Sequence, residues 1–173
     1  MTRAWRGRWR ALQRLTGSER CSVVAALAAL TLVRLTLAAL GFRRTQALLS
    51  GHPAARGAAP AAAATDRAAA ERIVRAMDRA VGCGPGLLRP SCLPRSMTLW
   101  WLLRRAGLPA ALRIGVRRAS DHLEAHAWVE LEGRVLGDQP DVQDRFRAFE
   151  GPLPELGGKR STGPLPSRHD FGA

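Results

Sequence analysis

The hydrophobic and polar positions along the chain divide it into a helical first half and a mixed second half. Residues 22–40 are almost continuously apolar, and we expect residues 5–50 to form two or more helices. A further helix is predicted to begin at Thr65 or Asp66, because apolar residues then recur every three or four positions. The stretch between them, residues 51–64, is dominated by alanine, glycine and proline, which predicts a linker.

The second half of the chain predicts one more helix and two strands. The run CLPRSMTLWWLLRR should form a helix that starts at or just before Cys92 and stops at Gly107. Residues 111–118 alternate between apolar and polar positions, as a half-buried strand does, and residues 124–131 do the same. Glycine and proline are then so frequent over residues 151–173 that we expect a disordered tail.

These elements predict an α+β fold in four regions. The regions are a basic helical segment at 1–50, the linker at 51–64, a compact domain at 65–150 and the tail at 151–173. In the compact domain, a helix that carries a cysteine at its start would pack on a small antiparallel sheet.

The composition and charge narrow the classes of function. Apolar residues make up 46% of the chain, which is ordinary for a globular protein, and the net charge is +13. Nine arginines fall within residues 1–44 against a single acid, Glu19. Neither zinc-finger spacing nor a glycine-rich phosphate loop accompanies them, so we predict no nucleic-acid partner. The three cysteines are irregularly spaced, which predicts neither a disulfide framework nor a metal site.

The apolar stretch at 22–40 is long enough for a membrane span of about 20 residues. Arg34 argues against a span, because a central arginine costs about 2.5–3.5 kcal/mol on insertion scales. A signal peptide is disfavoured because no small-residue cleavage site follows. We therefore expect a cytoplasmic protein whose first helices pack on the domain, with membrane-surface association through residues 5–44 and a true span as open alternatives.

Cys92 is the candidate nucleophile. Pro94 suits the first turn of a helix, so the thiol of Cys92 should lie at the positive end of the helix dipole, which favours a thiolate. The backbone N–H of Cys92 is the best candidate to stabilise an oxyanion, and Ser91 and Gln139 are candidates for a second donor. A purely structural role, as a small buried cysteine, is the alternative.

The candidate partners of this thiol are His126 and Asp138. A three-residue hairpin loop over 131–133 would place His126 directly opposite Asp138 and would also pair Glu130 with Arg134. Opposite charges across two strands are favourable, so we predict this register.

Together these residues predict a Cys92–His126–Asp138 catalytic triad. In such a triad the thiolate attacks a carbonyl carbon, the histidine carries the proton and the acid orients the imidazole. This chemistry needs no cofactor.

The segments CLPRSMTLWWLLRRAGLPAALRIGVRR and LEAHAWVELEGRVLGD occur together and in order within about residues 65–150. With them the chain resembles the standalone transglutaminase-like cysteine proteases of lasso-peptide biosynthesis. The resemblance implies that Cys92, His126 and Asp138 are catalytic. It also implies that the protein removes the leader from a ribosomally made precursor peptide before the macrolactam is closed.

The resemblance implies three partners. They are the precursor peptide, a separate leader-binding protein and an ATP-dependent macrolactam cyclase; residues 1–64 show no alternating strand pattern typical of a fused leader-binding module. Two other functions stay open from the sequence. One is an acyl transferase or amide-forming enzyme with the same triad, and the other is a non-catalytic scaffold at a membrane surface.

Overall fold

A computed structural model describes residues 16–51, 60–83, 91–119 and 122–149, without the side chains of 60–65 and of residue 83. Within these residues the chain forms three long helices followed by a small sheet, which confirms the predicted α+β class. The elements in chain order are α1 (Gly17–Ser50), α2 (Pro60–Cys83), α3 (Cys92–Arg105), β1 (Ala111–Arg118), β2 (Leu123–Leu131), β3 (Arg134–Leu136), α4 (Val142–Arg145) and β4 (Arg147–Ala148).

The sheet is antiparallel, with the strand order β3-β2-β1-β4. β1 has the predicted bounds, and β2 begins one residue earlier than predicted. These two strands pair along their whole length, whereas β3 pairs only with residues 129–131 of β2. β4 pairs with Gly115 and Val116 at the outer edge of β1.

Both faces of the sheet are covered. Val129 on β2 belongs to the main core with Met97 and Leu103 of α3. Trp128 points to the opposite face, because successive side chains of a strand alternate, and it packs with Val142 and Phe146. The layer on this second face, made by α4 and Phe146, was not predicted, since residues 142–148 carry no strand or helix periodicity of useful length.

The first helix packs on the second, as expected for the part of residues 5–50 that the structure describes. Buried Val23, Ala26 and Leu30 of α1 meet Met77 and Ala80 of α2. The helix is two pieces, because Gly41 has a left-handed backbone (φ 73°) that interrupts the helical geometry. Residues 1–15 lie outside the described part of the chain.

By length and composition, α1 could cross a bilayer, although 28% of its most apolar 18-residue window is buried in the protein. The core helix of a soluble protein can pass the same test of length and composition.

The second helix begins at Pro60, earlier than the predicted start at Thr65 or Asp66. Residues 60–64 are therefore helical and not part of an extended linker. The physical reason is that proline suits the first helical turn and that four consecutive alanines follow it, the residue of highest helix propensity. The domain boundaries remain a prediction, and the predicted tail at 151–173 lies outside the described residues.

Gly115 gives a test of the packing between β1 and β4. A Cβ atom there would lie 2.7 Å from the Arg147 carbonyl oxygen and 2.9 Å from the Trp128 indole. We expect Gly115→Ala to destabilise the protein by about 1–3 kcal/mol, because the Arg147 backbone or the buried Trp128 ring would have to move to make room for the methyl group. The measurement is urea unfolding.

The control for this prediction is Gly82→Ala on α2, where a Cβ would meet nothing within 4 Å. Alanine is the better helix former, so this variant should be more stable than the parent by about 0.5–1 kcal/mol. A Gly115→Ala protein as stable as the parent would contradict the close packing.

Glu19 gives a test of the start of α1. Its carboxylate accepts hydrogen bonds from the N–H and hydroxyl of Thr16, both at 3.0 Å, and from Arg79 of α2 at 2.8 Å. The Thr16 backbone bond, followed by the Arg79 bond, lowers the pKa of Glu19 from 4.5 to about 2. Its contribution to stability is therefore complete above about pH 4.5 and disappears as the pH falls towards 2.

We expect Glu19→Gln to remove this part of the pH dependence of stability. Parent and variant should differ most above pH 4.5 and converge towards pH 2, which unfolding midpoints measured across this range would check. Equal slopes in the two proteins would exclude the capping role of Glu19.

Candidate active site

Cys92 is the first residue of α3, as predicted. Ser91 precedes it as the N-cap, and the Ser91 hydroxyl makes no capping hydrogen bond. The Cys92 thiol is free and half-buried. Its backbone N–H belongs to the first helical turn, where amide groups lack an intrahelical acceptor. The thiol and this N–H therefore stand together at the positive end of the α3 dipole.

Two contacts fix the first turns of α3. The Arg95 guanidinium lies 2.7 Å from the Asp78 carboxylate of α2. One turn after Cys92, the buried Ser96 hydroxyl donates to the Ala127 carbonyl oxygen at 2.7 Å. Residues four apart share a helix face, and Ala127 is the neighbour of His126. The second contact places the α3 turn that follows Cys92 against the backbone of β2, next to His126.

His126 and Asp138 are joined directly. Nε2 of His126 lies 2.7 Å from Oδ2 of Asp138, and both side chains are about three-quarters buried. The other carboxylate oxygen, Oδ1, accepts the backbone N–H of Gln139 at 2.8 Å. Because Nε2 is engaged by the acid, Nδ1 is the nitrogen of His126 that remains for exchanging a proton with a reacting group.

The hairpin that leads to Asp138 differs from the prediction. Leu131 faces Arg134, and Glu130 faces Val135, so the turn contains two residues and not three. Glu132 and Gly133 both have positive φ angles, 51° and 76°, which matches the tight turn that suits twisted antiparallel strands. The predicted three-residue loop and the predicted Glu130–Arg134 pair are therefore wrong.

Gly137 explains how Asp138 meets His126 in spite of this register. β3 ends at Leu136, and Gly137 then adopts a left-handed backbone with φ 69°. A Cβ at this position would also lie 2.8 Å from the Leu99 side chain of α3. The chain therefore leaves the ladder at a residue whose backbone conformation favours glycine, and Asp138 is free of the strand alternation that would have turned it away.

Phe146 is a site residue that the sequence analysis missed. Its ring stacks on the His126 imidazole, with centroids 5.0 Å apart and planes 28° apart. The Arg117 guanidinium also lies 5.0 Å from the Phe146 ring. An aromatic residue 20 positions after the histidine, in a segment without periodicity, gives no sequence signal.

Two other acids share the His126 face of β2, and arginines from β1 pair with both. Glu124 is bonded to Arg117, chiefly by a hydrogen bond that lowers the pKa of Glu124. Glu130 lies 3.0 Å from Arg113. The acids beside His126 are therefore charge-compensated.

The environment of Glu130 has opposing effects on its pKa. Partial burial raises the pKa, but hydrogen bonds from Gln143, Trp128 and Arg113 outweigh burial and lower it overall. Glu130 is therefore held as an anion that orders this end of the sheet, and it is a poor candidate for a proton donor.

The two candidates for a second oxyanion donor, Gln139 and Ser91, differ in the hydrogen bonds that they already make. The Gln139 N–H already serves the Asp138 carboxylate, whereas the Ser91 hydroxyl is not used for capping. Across the described residues, no three histidine, cysteine or acidic side chains lie close enough to hold a metal ion. The arrangement offers a thiol at a helix start and an acid-oriented imidazole, which are the groups required for acyl transfer through a thioester.

Comparisons with known proteins agree with this architecture. A family model described as the transglutaminase-like superfamily matches residues 29–150, a region that begins inside α1. The microcin J25-processing protein McjB of Escherichia coli is 33% identical over 60 residues. That similarity covers 35% of this chain and 28% of McjB. No solved structure matches the chain. Because the family model matches well over half of its residues, the chain belongs to the transglutaminase-like superfamily.

Proposed function

We propose that this chain is a cysteine peptidase that removes the leader from a lasso-peptide precursor. The hydrogen-bonded His126–Asp138 pair carries the proposal, because an imidazole fixed at Nε2 is what a cysteine nucleophile requires. Membership of the superfamily and the similarity to a microcin-processing protein support the same assignment.

The position of α3 supports Cys92 as the nucleophile. The Ser96–Ala127 hydrogen bond ties the helix one turn from Cys92 to the residue beside His126. The exposed thiol of Cys21 has no comparable neighbourhood, since it lies on the outer side of α1. Of the two described cysteines, Cys92 is therefore the one we assign to catalysis.

The reaction follows from these roles. The Cys92 thiolate attacks the carbonyl carbon of the scissile bond, and the Cys92 N–H stabilises the oxyanion. As the carbon–nitrogen bond breaks, His126 gives its proton to the leaving nitrogen, which releases the core peptide with a new amino terminus. Water, deprotonated by His126, then hydrolyses the thioester and frees the leader carboxylate.

We propose that the precursor is presented by a separate leader-binding protein and that the released amine passes to an ATP-dependent macrolactam cyclase. Macrolactam formation needs a free amino terminus, so cleavage must precede ring closure. Acyl transfer to an amine would use the same thioester, and the mass of the products distinguishes the two reactions.

Cys92→Ala should abolish processing, with a loss of at least about 10³-fold in rate, because the thioester cannot form. The assay incubates the full chain with precursor and leader-binding protein and reads peptide masses. Cleavage gives two products whose summed mass exceeds the mass of the precursor by one water, whereas transfer to an amine adds the mass of that amine instead. The matched control is Cys21→Ala, which should process at the parental rate. Full activity of Cys92→Ala would exclude this nucleophile.

Asp138→Asn should lower kcat by about 10²–10⁴-fold and change KM little, because an amide would present the wrong group to Nε2 of His126. Asp141→Asn is the matched control, since Asp141 is an exposed acid whose carboxylate lies 4.0 Å from the Arg145 guanidinium. Equal kcat values for the two variants would contradict the role of Asp138 in orienting the imidazole.

A further inference from the structure

The outward face of α1 is apolar over most of its length. Residues that recur every three or four positions face solvent there, and they include Val24, Leu32 and Leu35. The complete face is Cys21, Val24, Ala25, Ala28, Thr31, Leu32, Leu35, Ala38 and Ala39. Over about 28 Å of helix this face carries no charged side chain. An exposed face of a helix in a soluble protein is normally polar, so this one indicates an interaction surface.

The hydroxyl groups along this helix do not interrupt the apolar face. Thr31 donates to the Leu27 carbonyl at 2.9 Å, and Thr36 donates to the carbonyls of the preceding turn. Arg34, the one charged residue between positions 21 and 39, lies off the face and is half-buried. The outward face therefore presents little that water would solvate well.

The opposite face of α1 determines whether the helix could cross a bilayer or lie on its surface. Val23, Ala26, Leu30 and Val33 are nearly inaccessible, and they pack against the protein. A helix crossing the bilayer would have to leave these contacts. A helix that lies in the interface keeps them and buries the outward face by about 5–10 Å.

The charges around the face favour a lipid surface. Arg20 precedes it, and Arg43 and Arg44 follow it, two and three residues after Gly41. Anionic headgroups complement such a pattern. A second copy of the chain would place like charges together, and the face lacks the aromatic anchors that dominate protein interfaces.

We propose that α1 lies on an anionic membrane surface, with its outward face in the lipid and its inner face on the protein. This inference is independent of the catalytic assignment, because it rests on residues remote in sequence from the site and its test measures lipid binding.

The test is flotation of the full chain with vesicles. The chain should float with vesicles of equal parts phosphatidylglycerol and phosphatidylcholine, and bind pure phosphatidylcholine at least about tenfold more weakly. Alkaline carbonate should release it, since a peripheral helix does not span the bilayer. Retention after carbonate, equal binding to both vesicles, or no binding to either would overturn the proposal, and the last result would favour a protein partner.

Leu35→Glu should reduce binding to the anionic vesicles by about tenfold or more, because it places a charge in the outward face that would enter the lipid. Leu35 is 63% exposed, so the thermal unfolding midpoint should stay parental. The matched control is Leu123→Glu, which makes the same charge change at a residue 72% exposed on β2 and should leave binding unchanged. Leu32→Glu repeats the test on the same face. Parental binding by both α1 variants would show that the face does not contact lipid.

Discussion

The hydrogen bond between His126 and Asp138 depends on one left-handed residue. Strand alternation in the observed register would direct the side chain at position 138 away from the imidazole, and Gly137 breaks that alternation. The same glycine lets the chain pass close to Leu99 of the cysteine-bearing helix. A single backbone conformation therefore joins the acid to the base and brings their loop against α3.

Much of this architecture is local and could be predicted. The start of α3 followed from a proline in the first turn, and its end from Gly107, which has a positive φ of 85°. β1 and β2 followed from the alternation of apolar and polar residues. The resemblance to a known family is confirmed at the level of the transglutaminase-like superfamily, and the catalytic roles of Cys92, His126 and Asp138 remain proposals.

The parts that could not be predicted depend on contacts distant in sequence. The hairpin register was misjudged because Glu130 and Arg134 offered a plausible ion pair, whereas Glu130 binds Arg113 and Trp128 instead. Phe146 reaches His126 because β4 docks on the edge of β1, a pairing of two residues that leaves no periodic pattern. The start of α2 at Pro60 could not be predicted from the sequence, because alanine-rich segments are typical of both linkers and helices.

Asp78 and Arg79 are consecutive residues of α2, and they bind different helices: Asp78 meets Arg95 of α3, and Arg79 meets Glu19 of α1. The side chains of neighbouring helix residues point about 100° apart, so Asp78 and Arg79 can reach two different helices. Such half-exposed ion pairs add little energy, but they specify rotation about the helix axes. α2 thereby fixes the angle between α1 and α3. If α1 lies on a membrane surface, the Cys92 end of α3 is held at a fixed angle to the plane of that membrane.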